Sequence, residues 1–316
     1  MLGFSARWRA GLLAALALCL SGCASLMRPD YGKGMPASAP ARVELADTPF
    51  FPQDDYQCGP AALATVLVSA GVQRTPQQLV EQVYLPQRQG SLQPELLGAA
   101  RRAGLLPYTL PTAPNALLRE VAAGNPVVVL QNLRIDLLPQ WHYAVVVGYD
   151  LNEGVIVLRS GTHKRMVTPI DEFDRTWAKS GRWAFVALAP EQLPATASEH
   201  DFVAAAATLE RVSPQEARRA YQSALAAWPQ NLFARMALGN AAYRQGQLDD
   251  ARAHYQQATS EHPSAADAWN NLAQVLHEQG RSAPAREAAQ RAVNIGGPRL
   301  GTYQSTLATV QAGAAR

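Results

Sequence analysis

The stretch "FPQDDYQCGPAALATVL", residues 51–67, sets one thiol between a polar turn and an apolar run. The run continues through "GPAALATVLVSAGV", residues 59–72, and is apolar nearly all round. That predicts a buried helix ending near Gly71. Pro60 suits the first turn, where its missing N–H has no intrahelical partner. Cys58 then stands at the helix start, where unpaired amides and the aligned peptide dipoles favour negative charge, so the sequence predicts a stabilised thiolate there.

The chain holds only three cysteines: Cys19, Cys23 and Cys58. The first two fall in an N-terminal segment that reads as a secretory signal. Arg7 and Arg9 precede "AGLLAALALCL", and "LSGC" follows at once, ending at Cys23. The apolar stretch is short for a permanent membrane helix. "LSGC" resembles the lipobox of bacterial lipoproteins, which implies a signal peptide over 1–22 and lipidation of Cys23. With Ala24 and Ser25 following, and no aspartate, it also implies an outer-membrane lipoprotein facing the periplasm. Cys58 becomes the one free thiol of the mature chain, in a compartment where an unpaired thiol calls for a reason. Residues 23–45, rich in Pro, Ala, Ser and Gly, read as a flexible tether.

Composition gives the rest of the frame. With 48% hydrophobic and 17% charged residues over 316 positions, the chain is that of a folded protein with room for two domains. The net charge is +3, and the signal carries Arg7 and Arg9 with no acid, so its removal leaves +1. No basic patch calls for nucleic acid. No Cys/His cluster of metal-ligand spacing and no glycine-rich phosphate loop appears, so neither metal nor cofactor is expected. Membrane contact is expected through the lipid alone, since no second long apolar run exists.

Residues 46–190 read as an α+β domain. Helical patterns at 76–84, 92–104 and 114–124 precede candidate strands at 126–132, 142–149, 154–159 and 182–188, which argues for helices on an antiparallel sheet. "PIDEFDRTW", 169–177, reads as a short helix over the sheet edge, and "GTHKR" as a solvated hairpin end. Of the six histidines, His200, His254, His262 and His277 belong to the helical C-terminal half, and His163 falls in the polar "SGTHKR" turn. His142 opens the apolar strand "HYAVVVGY", where a side chain can face a cleft, and is the candidate base for Cys58.

"PQDDYQCGPAALATVL", followed some eighty residues later by "HYAVVVGYD", resembles the papain-like cysteine peptidases related to the bacteriocin-processing, double-glycine leader peptidases. The resemblance covers roughly 46–190. It implies Cys58 as nucleophile, His142 as general base and a glutamine that helps to bind the oxyanion. That glutamine falls on Gln53, five residues before the thiol. The family more often spaces it six before, which is Pro52 here; Gln57 is a second candidate. The usual Asp-Pro on the following strand is replaced by Arg159 and Ser160. Asp150 is the nearest acid able to orient the imidazole, with capping of the "DLNEG" turn as its other reading.

From 198 to 316 an alanine-rich repeat takes over behind the linker "APEQLPATASE". Gly246 and Gly280, Ala251 and Ala285, Ala258 and Ala292, and Leu238 and Leu272 are each 34 residues apart. That is the signature of tetratricopeptide repeats: two good units at 232–265 and 266–299 behind a degenerate one at 198–231. Two functions of different class follow. One is a lipid-anchored periplasmic cysteine peptidase or amidase, acting on a peptide or protein substrate with the repeats recruiting a protein partner. The other is a catalytically silent adaptor that keeps the cleft and the repeats for protein binding.

Overall fold

A computed structural model describes residues 31–53 and 57–313. The chain forms two compact units. One takes the described residues up to Val66 together with Thr109–Phe185, and the other takes Leu67–Tyr108 with the chain from Val186 onward.

The first unit holds β1 (Arg42–Glu44), most of helix α1 (Cys58–Ser69), α4 (Pro114–Ala122), β3 (Val127–Asn132), β4 (Trp141–Asp150), β5 (Val155–Ser160), β6 (His163–Pro169) and α5 (Ile170–Trp177). It also holds the start of β7 (Ala184–Leu188). Its strands run β7-β3-β4-β5-β6, with β1 also paired to β4, and each of these neighbours pairs antiparallel. Every residue of β3, and Tyr143 through Tyr149 of β4, is buried. Such unbroken apolar strands require cover on both faces. Helix α4 packs on β1, β3 and β4, while α5 packs on β3, β5 and β6. The backbone of β1 crosses Gly148, where a Cβ would stand 2.7 Å from the Val43 carbonyl oxygen. The chain bulges between Val146 and Gly148 to admit it.

The tether expected over 23–45 is therefore corrected for its described part. The Tyr31 hydroxyl donates to Asp174 at 2.8 Å, Asn115 donates to the Lys33 carbonyl at 2.8 Å, and Tyr149 donates to the Pro40 carbonyl at 2.8 Å. A Pro/Ser/Ala-rich composition leaves few side chains to bury, but its backbone carbonyls are acceptors that a neighbouring surface can capture. Cys19 and Cys23 lie outside the described residues.

The second unit contains α2 (Pro76–Val83), α3 (Gln93–Arg102), most of β2 (Leu106–Thr109), and the end of β7, with which β2 pairs. Seven helices follow: α6 (Glu199–Ala207), α7 (Pro214–Ala227), α8 (Leu232–Arg244), α9 (Leu248–Glu261), α10 (Ala266–Glu278), α11 (Ser282–Ile295) and α12 (Leu300–Gly313). Side chains explain why 76–108 joins them. The Tyr108 hydroxyl donates to the Thr196 carbonyl and accepts from the Ser198 N–H, and Ser213 donates to the Arg101 carbonyl. Within the repeats, Gly246 and Gly280 both take φ +71°, which ends α8 and α10 34 residues apart.

Candidate active site

Helix α1 begins at Cys58 itself, with the Gln57 carbonyl accepting the first helical bond from Ala61 at 3.2 Å. Gln57 thus serves as the helix cap. Burial pushes the Cys58 thiol above its ordinary pKa; hydrogen bonds from the backbone at Tyr143, at Gly59 and at Cys58 itself pull it down and are outweighed. This corrects the sequence expectation of a resting thiolate. The helix start supplies amides, but the apolar run that makes the helix buried also removes the solvent that an anion needs.

The Tyr143 backbone that reaches the sulfur belongs to the residue after His142. His142 is the second residue of β4 and lies opposite Gln131 of β3. On the other side, Val145 pairs with Arg159 and Val146 with Leu158, a register that sets Ser160 on the same face as His142. His142 Nε2 stands 2.8 Å from the Ser160 hydroxyl oxygen. Burial drops the imidazole pKa to about 4. With no carboxylate on this nitrogen, nothing offsets the desolvation, and at neutral pH the ring is uncharged. A ring carrying its proton on Nε2, with Ser160 accepting, leaves the Nδ1 lone pair available as a base. Gln131, on the same face, donates to Thr176 of α5 at 2.7 Å and so fixes the neighbouring wall.

Ser160 is flanked by two residues that organise the approach to it. Arg159, 4% exposed, spends its guanidinium on backbone carbonyls: Ala46 at 3.0 Å, Thr48 at 3.2 Å and Lys164 at 2.6 Å. The Gly161 carbonyl accepts the Gln53 N–H at 3.2 Å. The chain carrying Gln53 is therefore pinned to the β5–β6 turn, next to the serine that meets the imidazole.

Asp150 is not brought to this group. It stands eight residues along β4 from His142, about 26 Å at strand spacing. Its Oδ1 accepts the Asn152 and Glu153 N–H groups at 3.0 and 3.1 Å, and Arg42 lies 3.7 Å from Oδ2. The turn role holds, and the orienting role is corrected. What the sequence reading left without a partner is Ser160; the signal was its place where the acid was expected. Among the described residues no group of three or more His, Cys, Asp or Glu side chains could hold a metal.

A family model described as Peptidase_C39 like family matches residues 45–185, and a tetratricopeptide repeat model matches 209–255 and 236–299. No curated protein matches the chain. Among solved structures, one described as a C39-like peptidase from Bacillus anthracis is 18% identical, covers 46% of this chain and 97% of its own, and gives a TM-score of 0.40. A double glycine motif protease from an AMS/PCAT transporter, solved with its leader peptide, is 21% identical over 45% of this chain and 91% of its own, with a TM-score of 0.34. The peptidase domain of Streptococcus ComA, a bifunctional ABC transporter of a quorum-sensing pathway, is 20% identical over 45% and 98%, with a TM-score of 0.36.

Proposed function

We propose that this chain, which carries a C39-like peptidase domain ahead of tetratricopeptide repeats, is a lipid-anchored periplasmic cysteine peptidase or amidase. Cys58 is its nucleophile and His142 its base. The observation that carries the reading is the pairing of an imidazole held through Nε2 by Ser160 with a thiol lying against the next backbone unit of the same strand.

Because the thiol is raised and the imidazole lowered, the resting pair is neutral. The proton passes from sulfur to His142 Nδ1 as sulfur bonds to the substrate carbonyl carbon. The oxygen that gains charge is met by the Gln53 amide and the Cys58 N–H. His142 then protonates the leaving amine as the C–N bond breaks, and water, deprotonated by the same imidazole, releases the acid from the thioester. The Ser160 hydroxyl orients the ring but brings no charge, so the imidazolium formed in flight is less stabilised than beside a carboxylate.

The repeats supply the protein-binding surface. A 610 Å³ groove in the second unit is lined by Val203, Phe233, Met236 and Tyr221 with Glu199 and Glu210 beside them, an apolar floor edged by acids and suited to a peptide. The uncharged Ser160 also favours the second reading, an adaptor that holds peptide without cutting it.

The test is a peptide library incubated with the full chain and read by mass spectrometry. Cleavage abolished by Cys58→Ala and by His142→Ala supports the peptidase. No cleavage by either the natural chain or Ser160→Asp, with peptide still bound, gives the adaptor. Metabolic labelling with palmitate, lost in Cys23→Ala, tests the anchor.

A further inference from the structure

The β3–β4 connection, "LRIDLLPQW" over 133–141, presents large apolar side chains to solvent. Leu137 is 84% exposed, Leu138 65% and Ile135 62%, and Leu133 and Trp141 are about half exposed. Exposed apolar clusters of this size mark a contact surface. The connection is an ordered one. Asn132 Oδ1 accepts the Arg134 and Gln140 N–H groups at 3.1 and 3.0 Å, the Leu133 N–H meets the Gln140 carbonyl, and the Leu138 N–H meets the Ile135 carbonyl. The one acid of the loop, Asp136, is drawn back to the Asn132 amide at 3.4 Å. Leucine, isoleucine and tryptophan are thus held outward on a loop whose turns are closed by the Asn132 side chain and two backbone bonds, so the apolar side chains project from an ordered frame.

Two further features identify that medium. Lys179, in the turn after α5, donates to the Arg134 carbonyl at 2.6 Å, so two cations stand at the base of the apolar loop. The acids Asp171 and Glu172 lie at the other end of α5, about 12 Å away along the helix. The described N-terminal chain also reaches this segment: Tyr31 bonds Asp174, which pairs with Arg182 at 2.9 Å. Only eight residues separate Tyr31 from Cys23, a reach of at most about 28 Å. A lipid on Cys23 would hold this part of the domain close to the bilayer.

We propose that the 133–141 loop inserts into the membrane interface, its leucines, Ile135 and Trp141 among the acyl chains and Arg134 and Lys179 at anionic headgroups. The placement beside the bilayer by Cys23 rests on the lipid-anchor reading; the exposed apolar loop and its two cations do not. The strand that carries His142 would then start at the membrane surface, since His142 follows Trp141 directly.

The test uses the full chain added to vesicles of brominated phosphatidylcholine with phosphatidylglycerol, reading tryptophan quenching. Quenching in the natural chain that is largely lost in Trp141→Phe is the expected result. Leu137→Ser with Leu138→Ser should weaken vesicle binding about tenfold or more without Cys23 lipid, by the loss of two buried leucines. A chain that washes off the vesicles yet shows Trp141 quenching while bound removes the anchor and keeps the insertion. A chain retained on vesicles with equal quenching in Trp141→Phe overturns the insertion and leaves the anchor. Shielding of Trp141 by apolar peptides and not by vesicles also overturns it, and assigns the loop to substrate.

Discussion

His142 Nε2 meets the Ser160 hydroxyl at 2.8 Å, on adjacent strands of one sheet face. A hydroxyl fixes the ring by geometry alone, whereas a carboxylate would fix it and also stabilise its charged form. Ser160→Ala should therefore lower kcat through a misoriented ring while KM changes little. Ser160→Asp should raise the imidazole pKa and increase kcat, because the imidazolium gains a counter-charge at the same nitrogen. Peptide-cleavage kinetics of the two variants check both. Equal losses in both would leave the Ser160 contact without a catalytic role.

The depressed imidazole makes a stability prediction whose sign is fixed. His142 binds its proton at about pH 4 when folded and near 6.5 when unfolded. Between those values the unfolded chain holds more protons, so stability falls as pH drops from 6.5 towards 4 and is level above 6.5. The full effect is at most about 3 kcal/mol. Urea denaturation at pH 7 and pH 5 should show a larger drop for the natural chain than for His142→Gln, in which the titration is gone.

The thiol titrates in the opposite sense. Its pKa lies above the ordinary value, so alkylation of the resting protein by a neutral reagent should rise only in the alkaline range, later than for a free cysteine. A plateau already at pH 6 would mean a thiolate stabilised by a charge that the burial of Cys58 does not predict.

Much of this was legible in the chain. Buried helices and strands announce themselves by unbroken apolar runs, and α2, α3, α4, β3, β4 and β5 fall within two residues of the spans read from sequence. The 34-residue period fixed α8 to α11 as pairs. Three strands were missed for local reasons. β1 is three residues in a Pro-rich stretch, β2 contains Pro107 at the sheet edge where a missing N–H is tolerated, and β6 is mostly polar on an exposed edge. Helix α12 falls outside the period and closes the array. In the site, Cys58 and His142 stood out because each is a reactive group beside an apolar run. Ser160 stood out only by its place where the family's acid is expected, because a serine has no chemical signature of its own until the register brings it to a histidine. Asp150 was attractive as an acid on the right strand, and only strand length separates it from the ring.

Arg159 is the clearest structural dependence next to the site. Its buried guanidinium is satisfied by the carbonyls of residues 46, 48 and 164, which hold the chain leading to Gln53. Removing it strands several buried acceptors at once. Arg159→Ala should cost about 3 kcal/mol or more in urea unfolding, and Arg159→Lys should recover little of it, since one ammonium cannot span the fork of acceptors.

The repeats offer a test independent of catalysis. A Cβ on Gly239 would stand 2.6 Å from the Tyr255 ring, and the Tyr255 hydroxyl donates to Asn240 at 2.7 Å. Asn240 also accepts from Asn271 of the next unit at 3.1 Å, so one amide links α8, α9 and α10. Gly239→Ala removes a glycine from a helix interior, which alone would stabilise by up to about 1 kcal/mol. Against that, the added methyl must displace a ring that is 2% exposed and tied at its far end. Overpacking of this kind costs about 1 to 3 kcal/mol, so the net change should be destabilising. Tyr255→Leu in the same chain makes room for the methyl, and there Gly239→Ala should become neutral or stabilising. A double-mutant cycle by thermal unfolding measures that coupling, and additive effects would show that Gly239 is not held small by the ring.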